Sequence, residues 1–363
     1  MPAASPERVT EMNLDAVRPD DPCWRQLAAG LRAAGYSTRN IRGLLDVDDP
    51  IEQIIGNSGR YSYFYLDELA KLRDAVAVLV RLFMFAGEVA VAELDVLAGP
   101  LLDILWGHEL ILADPARPAM VYGAISIVEH RGRYFLSDPL FENRSSGFIV
   151  YDDSALCMPL HSSSLELLDA LRAPDHAASF LDVGSGSGCQ SLLFGGGYGR
   201  VVGFDPNPRA VRFAQLNSAM NGVDARFDVD AWETFRDGPF DHIAFNAPDM
   251  DTAFSYLNDG LDGMLSESGH AQVRIVSEIL EEEGTWPEVL VSRIPELEKW
   301  ELSTLLHEDS PFALSAESVR SGRIPYGKMV IDHPSKTDRF WADVTERGVV
   351  EIVVATLTIR RRP

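Results

Sequence analysis

Phe180-Leu181-Asp182-Val183-Gly184-Ser185-Gly186-Ser187-Gly188 is the stretch on which the reading of this chain turns. A short apolar run of strand length ends in an acid and passes into Gly-x-Gly-x-Gly, and a helical pattern opens behind it at about 188–194. Glycine has no Cβ, so the backbone can turn tightly there and approach a ligand closely. Amide N–H groups at a following helix start can then face that ligand. In a dinucleotide site the third glycine stands three residues after the second, and here it stands two after, at Gly188. Asp182, two residues before the first glycine, would be badly placed beside a pyrophosphate and suits a cationic amino-acid group instead.

Outward from this turn the pattern alternates. Strands are expected at Ser179–Val183, Arg200–Phe204, Ala225–Val229, His242–Asn246 and Ala271–Ile275, with helices at 162–172, 188–194, 207–221, 252–265 and 287–298. Such alternation predicts a parallel sheet covered by helices, an α/β fold. A last strand over Gly348–Ile359 suits an antiparallel hairpin at a sheet edge. Asp205 closes Val201-Val202-Gly203-Phe204-Asp205, 21 residues after Gly184. A carboxylate at that place accepts hydrogen bonds from both hydroxyls of a ribose; the alternative is a cap for the helix that follows.

Before residue 150 the periodicity is different. Residues 1–20 read as a polar leader, and Pro22–Leu45 carries helical spacing broken at Gly35. A long helix is expected at 66–86, two short ones over 89–107, and a strand through Met120–Val128 with a turn at Gly132. Residues 21–150 therefore read as a mainly helical, winged-helix-like accessory domain and 151–363 as the α/β domain.

Composition limits the partners. Lys and Arg number 32 against 55 Asp and Glu, a net charge of −23, of which −16 falls after residue 150. Nucleic-acid binding draws on cationic contacts to phosphates, which this field opposes. Arg360-Arg361-Arg362 is the densest basic run, and it reads as a solvated tail. Cys23, Cys157 and Cys189 lie far apart, with no ligand or disulfide spacing. No metal site is expected, and neither His307 nor His333 has a companion at ligand spacing. No apolar run reaches the roughly 20 residues of a membrane span, so the expected location is the cytoplasm, without membrane association. The oligomeric state is not legible.

With Asp205-Pro206-Asn207-Pro208-Arg209-Ala210, Ala214-Gln215-Leu216-Asn217 and Asn221-Gly222 added, the run from Phe180 to Asn246 resembles class I S-adenosylmethionine-dependent methyltransferases. The branch it looks most like contains the release-factor glutamine and small-domain ribosomal RNA methyltransferases, and the helical front end more loosely resembles members with a helical N-terminal domain. The resemblance implies a Rossmann-like, seven-stranded, mostly parallel sheet and S-adenosyl-L-methionine as cofactor. Asp182, Gly184, Gly186 and Gly188 would hold its methionine portion, and Asp205 its ribose. In Val229-Asp230-Ala231-Trp232 either Asp230 bonds the adenine with Trp232 on its ring, or Ala231 takes the acid's place; separately, Trp232 also reads as plain core filler. Relatives that methylate planar nitrogens carry Asn-Pro-Pro-Tyr where this chain has Asn246-Ala247-Pro248-Asp249. Asn246 is kept to accept bonds from a target NH₂. Asp249 replaces the stacking aromatic, and reads as a general base, a counter-charge or a helix cap.

Weaker candidates are His161, a base or part of a serine-rich helix cap, with Asp152 and Asp153 at the same mouth; His242 reads as a satisfied histidine. The loss of the aromatic and the acidity favour methyl transfer to N or O of a small molecule or peptide. The alternative is a protein glutamine or an rRNA base. A further alternative is non-methyl chemistry, aminocarboxypropyl transfer or cyclisation, and a non-catalytic binding module comes last.

Overall fold

The structure, a computed structural model, describes residues 12–14, 17–56, 62–144, 147–151, 155–173, 178–325 and 334–362. The chain divides into two compact units. One holds Met1–His161 with Gly186–Leu193 and Asn207–Phe227; the other holds Ser162–Ser185, Phe194–Pro206 and Asp228–Pro363.

The first unit begins with α1 (Cys23–Ala33), α2 (Thr38–Leu45), α3 (Ser62–Leu69), α4 (Ala75–Phe83) and α5 (Gly99–Gly107). Strands β1 (Glu88–Ala90), β2 (Ile111–Asp114) and β3 (Arg117–Gly123) form an antiparallel sheet ordered β1-β3-β2. Two hairpins follow, β4 (Ser126–His130) with β5 (Arg133–Ser137), and β6 (Phe141–Arg144) with β7 (Gly147–Val150). Two expectations are corrected here. The periodic stretch 66–86 is two helices, because the Asp74 carboxylate caps a new one by accepting from the N–H groups of Val76 and Ala77. The run Met120–Val128 breaks after Gly123, where a Cβ would stand 2.3 Å from the Leu82 carbonyl oxygen, so the backbone passes hard against α4. Met12, Leu14 and Val17, inside the stretch read as a polar leader, are buried.

The second unit carries the large sheet. After α6 (Ser162–Ala170) come β8 (Ser179–Val183), α7 (Cys189–Leu193), β9 (Arg200–Asp205), α8 (Pro208–Asn221), β10 (Arg226–Val229) and β11 (Phe240–Asn246), of which α7, α8 and the first half of β10 belong to the first unit. Then α9 (Met250–Ser255), α10 (Leu261–Met264), β12 (Leu265–Leu280), α11 (Trp286–Arg293), β13 (Trp300–Leu306), α12 (Ala316–Ser321), α13 (Pro334–Glu346) and β14 (Val349–Arg361) complete the chain. The sheet has seven strands in the order β10-β9-β8-β11-β12-β14-β13, parallel at β9-β8-β11-β12 and antiparallel at β12-β14-β13. This is the Rossmann-like, mostly parallel sheet expected, with the late antiparallel pair at its edge. Leu181, Val183, Ile243, Phe245, Val273 and Ile275 form its core, all buried. No helix among the described residues is long and apolar enough to cross a membrane.

His242 is a core residue. It is fully buried in β11, its Nδ1 accepting from the Tyr198 hydroxyl at 2.6 Å and its Nε2 facing Gln272 Oε1 at 3.2 Å. Burial, with the His270 ring 4.6 Å away, pushes its pKa down to about 3. The unfolded imidazole titrates near 6.5, so the folded state stays neutral where the unfolded one takes a proton. The stabilisation is complete above pH 6.5 and is lost as pH falls from there towards 3, at up to about 1.4 kcal/mol per pH unit. Urea denaturation between pH 7 and 4.5 should show a shallower pH slope for His242→Gln than for the parent; equal slopes contradict this account.

Candidate cofactor and acceptor site

Asp182 lies in the middle of the sheet, paired in register with Gly203 on β9 and Ala244 on β11, and its side chain is buried. Beyond it the backbone takes positive φ at every glycine of the turn, 60° at Gly184, 52° at Gly186 and 81° at Gly188. The three have different reasons to be glycine. At Gly188 a Cβ would press on Phe227 at 3.0 Å and Ala214 at 3.2 Å, a close packing of the chain on itself. At Gly184 it would reach only ordinary contact with Phe245, at 3.4 Å. At Gly186 it would meet nothing within 4 Å, so that backbone faces open space. Ser185 Oγ is buried and has no hydrogen-bond partner. An open glycine backbone beside an unmet buried hydroxyl fits a ligand with polar groups resting on the turn.

Asp205 is the last residue of β9 and is half-buried. Its carbonyl accepts from the Asp230 N–H at 3.2 Å, which joins the ends of β9 and β10. The Asp230 carboxylate turns back on its own loop, accepting from Ala231 N at 2.8 Å and from the Thr234 hydroxyl. Trp232 packs against the core, edge-on to Tyr256 with centroids 6.2 Å apart and closely over Gly260, where a Cβ would come within 2.8 Å of its ring.

Asn246 ends β11. Its Nδ2 donates to Ser163 Oγ at 3.0 Å, and its Oδ1, out of reach of water, has no donor. The next peptide is held from β12, with Ala247 N donating to Arg274 O at 3.2 Å. Asp249 is exposed and caps α9: one carboxylate oxygen accepts from Thr252 N at 2.7 Å, the other from Thr252 Oγ1 at 2.9 Å. The local hydrogen bonding is that of the cap reading. Asp249→Ala should therefore cost about 1 kcal/mol of stability, read as a shift of the urea midpoint; an unchanged midpoint would show that the cap contributes nothing. His161 stands half-buried just before α6, while Asp152, Asp153 and His333 lie outside the described residues.

Two charged side chains near Asn246 escaped the sequence reading. Arg274, buried in β12, donates through Nε to Glu166 Oε2 of α6 at 2.7 Å. The available signal was a charged residue at alternate spacing in Gln272-Val273-Arg274-Ile275, where a buried strand should be apolar. In the first unit, Asp21, Cys23 and His108 bring possible ligand atoms within 4.8 Å of one another, with Asp21 Oδ1 already accepting from Cys23 N at 2.8 Å.

Comparison with known proteins agrees with this geometry. Residues 160–315 match the family of the ribosomal protein L11 methyltransferase (PrmA). A release factor glutamine methyltransferase of Geobacter sulfurreducens is 33% identical over 102 residues, 27% of this chain and 36% of that protein. A Methanocaldococcus jannaschii protein named as a protein N5-glutamine methyltransferase is 38% identical over 90 residues, 23% of this chain and 45% of that one. The chain thus spans less than half the length of these curated relatives. Among solved structures, the ribosomal protein L11 methylase of Lactobacillus delbrueckii is 18% identical, covering 55% of this chain and 77% of its own, with a TM-score of 0.33. The glycine turn between Asp182 and Asp205, the seven-stranded sheet and the sequence matches across it together make the chain similar to class I S-adenosylmethionine-dependent methyltransferases.

Proposed function

We propose that the protein transfers the S-methyl group of S-adenosylmethionine to a nitrogen of a protein substrate, in first place the side-chain amide of a glutamine. The setting of Asn246 carries this reading. Ser163 takes its Nδ2, so the amide is fixed with Oδ1 as the end left to accept, and a buried acceptor without a donor is costly until one arrives. An N–H of a planar amide supplies that donor and is thereby oriented. Both curated relatives are named for glutamine methylation, and the matched family for a ribosomal protein. The net charge of −23 suits a basic protein partner.

When bound, the cofactor supplies a methyl group already activated on a sulfonium. The chain's own contribution is placement. Asp182 and the glycine turn take the amino-acid portion, Asp205 the ribose hydroxyls, and Asp230 with Trp232 the adenine side. Asn246, whose peptide to Ala247 donates its N–H to Arg274 O, lines up the acceptor together with the Ala247 carbonyl. A small-molecule acceptor is the second reading, favoured by Asp249 standing where relatives of planar-nitrogen specificity carry an aromatic.

Incubation with methyl-labelled S-adenosylmethionine and a fractionated cell extract separates the readings. Label in the protein fraction, located on glutamine by peptide mass spectrometry with S-adenosylhomocysteine as co-product, is expected. Label confined to small molecules supports the second reading, and methylthioadenosine as product contradicts methyl transfer altogether.

A further inference from the structure

Three side chains of different donor chemistry converge in the first unit. The Asp21 carboxylate, the Cys23 thiol and the His108 imidazole bring ligand atoms to within 4.8 Å of one another. Among the described residues no other three such groups come this close. The packing of α1 on α5 explains the meeting. Gly30 of α1 lies against α5, where a Cβ would stand 3.1 Å from Leu101 Cδ1. Cys23 stands seven residues before Gly30, and His108 seven residues after Leu101. Meetings at equal and opposite steps, each about 10.5 Å along its axis, make the helices antiparallel. The start of α1 therefore sits at the end of α5. His108 is the residue that closes α5, its N–H donating to Ile104 O at 3.1 Å. Its ring centroid lies 5.2 Å from that of the buried Trp24, whose Nε1 donates to Arg18 O at 2.9 Å. Neither ring nitrogen of His108 is hydrogen-bonded to another described residue. Asp21 precedes α1, and its Oδ1 accepts from Cys23 N at 2.8 Å, which fixes the carboxylate beside the thiol. The thiol proton is shared with the same carboxylate.

One thiolate, one imidazole and one carboxylate are a donor set for tetrahedral zinc with its fourth position left to water. Calcium and magnesium take oxygen ligands, whereas a thiolate selects zinc and its softer neighbours. Bonds of about 2.0–2.3 Å in a tetrahedron place ligand atoms about 3.5 Å apart, so the group closes by about 1 Å on binding. Asp21 and His108, half-buried at helix ends, supply that movement by side-chain rotation, and the buried Cys23 forms the floor. Their partial exposure lets an aquated ion reach the group without opening the core. We propose that Asp21, Cys23 and His108 bind one divalent cation of the zinc class, which ties the start of α1 to the end of α5. Binding forms a metal–sulfur bond in place of the sulfur–hydrogen bond, and the proton passes to solvent. Spacing along the chain conceals such a site, since His108 lies 85 residues beyond Cys23.

Cobalt(II) reports on such a site by its spectrum, and no turnover is needed. The untagged full chain, kept reduced without added thiols, is titrated with Co²⁺ and then with Zn²⁺. One equivalent of Co²⁺ should raise the near-ultraviolet charge-transfer band of a cobalt thiolate and the visible bands of four-coordinate cobalt. Zn²⁺ should abolish both. Cys23→Ser should remove the charge-transfer band, and His108→Ala and Asp21→Asn should each weaken binding at least about tenfold. Asparagine keeps an oxygen to accept from Cys23 N, so its effect separates the ligand role from that bond. Zn²⁺ should also raise the melting temperature of the parent by several degrees and leave that of His108→Ala unmoved. Should the serine variant fail to fold, the other two, at half-buried positions, still decide. No thiolate band in the parent, or a band that survives Cys23→Ser, overturns the proposal. Equal affinity in the parent and His108→Ala also overturns it, because the ion then sits elsewhere.

Discussion

Asn246→Ala should lower methyl transfer on the order of a hundredfold and leave uptake of S-adenosylhomocysteine unchanged. The side chain's work is on the acceptor: anchored by Ser163 at one end, it presents its oxygen at the other. Removing it leaves the acceptor nitrogen unaligned with the methyl group, and misplacements of about 1 Å cost this much in rate. Asn246→Asp is the sharper variant. It keeps the shape and replaces the Nδ2 donor by an oxygen facing the Ser163 hydroxyl, bringing a carboxylate into a largely enclosed place. It too should lose turnover, while Ser163→Thr, which keeps the hydroxyl, should retain most of it. A calorimetric titration alongside the rate assay separates a lost acceptor from a lost cofactor site. Equal losses in both would show that Asn246 serves the cofactor rather than the acceptor.

The second large effect is on stability. Asn217, fully buried on α8, accepts from Leu136 N at 2.7 Å and donates to Leu136 O at 3.0 Å and Ser187 O at 2.9 Å. One turn on, Asn221 accepts from Tyr134 N at 2.9 Å and donates to Tyr134 O at 2.7 Å. Strand β5 has β4 on one edge, and on the other these two amides stand in for a strand partner. The match is geometric, since i and i+4 on a helix and i and i+2 on a strand have similar spacing. Asn217→Ala would strand one buried N–H and two buried carbonyls, one of them in the glycine turn. At about 1–3 kcal/mol for each unmet group, with incomplete additivity, the loss should reach about 3–5 kcal/mol. That is a large share of a domain's stability. The urea midpoint of Asn217→Ala should fall steeply with the slope of the transition unchanged, and that of the partly buried Asn221→Ala should fall less. Similar midpoints for Asn217→Ala and the parent would remove the amide pair from the account.

The α/β half was legible because its signals are local. An apolar run ending in an acid, glycines forced by positive φ at Gly184, Gly186 and Gly188, and a helix bounded by Pro208 and Gly222 each stand within a few residues of their cause. Strand β13, Trp300–Leu306, was missed because it is an edge strand whose residues are mostly exposed, leaving no apolar run to read. In the first unit a continuous apolar stretch concealed the break at Gly123, which is decided by a contact with Leu82 some forty residues earlier in the chain. Asp182, Asp205 and Asn246 were visible from spacing and from family resemblance. Ser163, Glu166 and Arg274 gain their meaning from which strands lie side by side, and Asn217 stood in a recognised motif whose task, holding β5, depends on a partner about eighty residues away.

The central claim is that the turn after β8, with the carboxylates of Asp182 and Asp205, holds an adenosyl sulfonium or its demethylated product. Isothermal titration of the parent and Asp205→Ala with S-adenosylhomocysteine tests it most directly. The account predicts one saturable site in the parent and a weakening of about ten- to a hundredfold in the variant, the value of charge-assisted bonds to the ribose hydroxyls. Absence of heat and of uptake by the folded parent, or equal affinity in the two proteins, would contradict it.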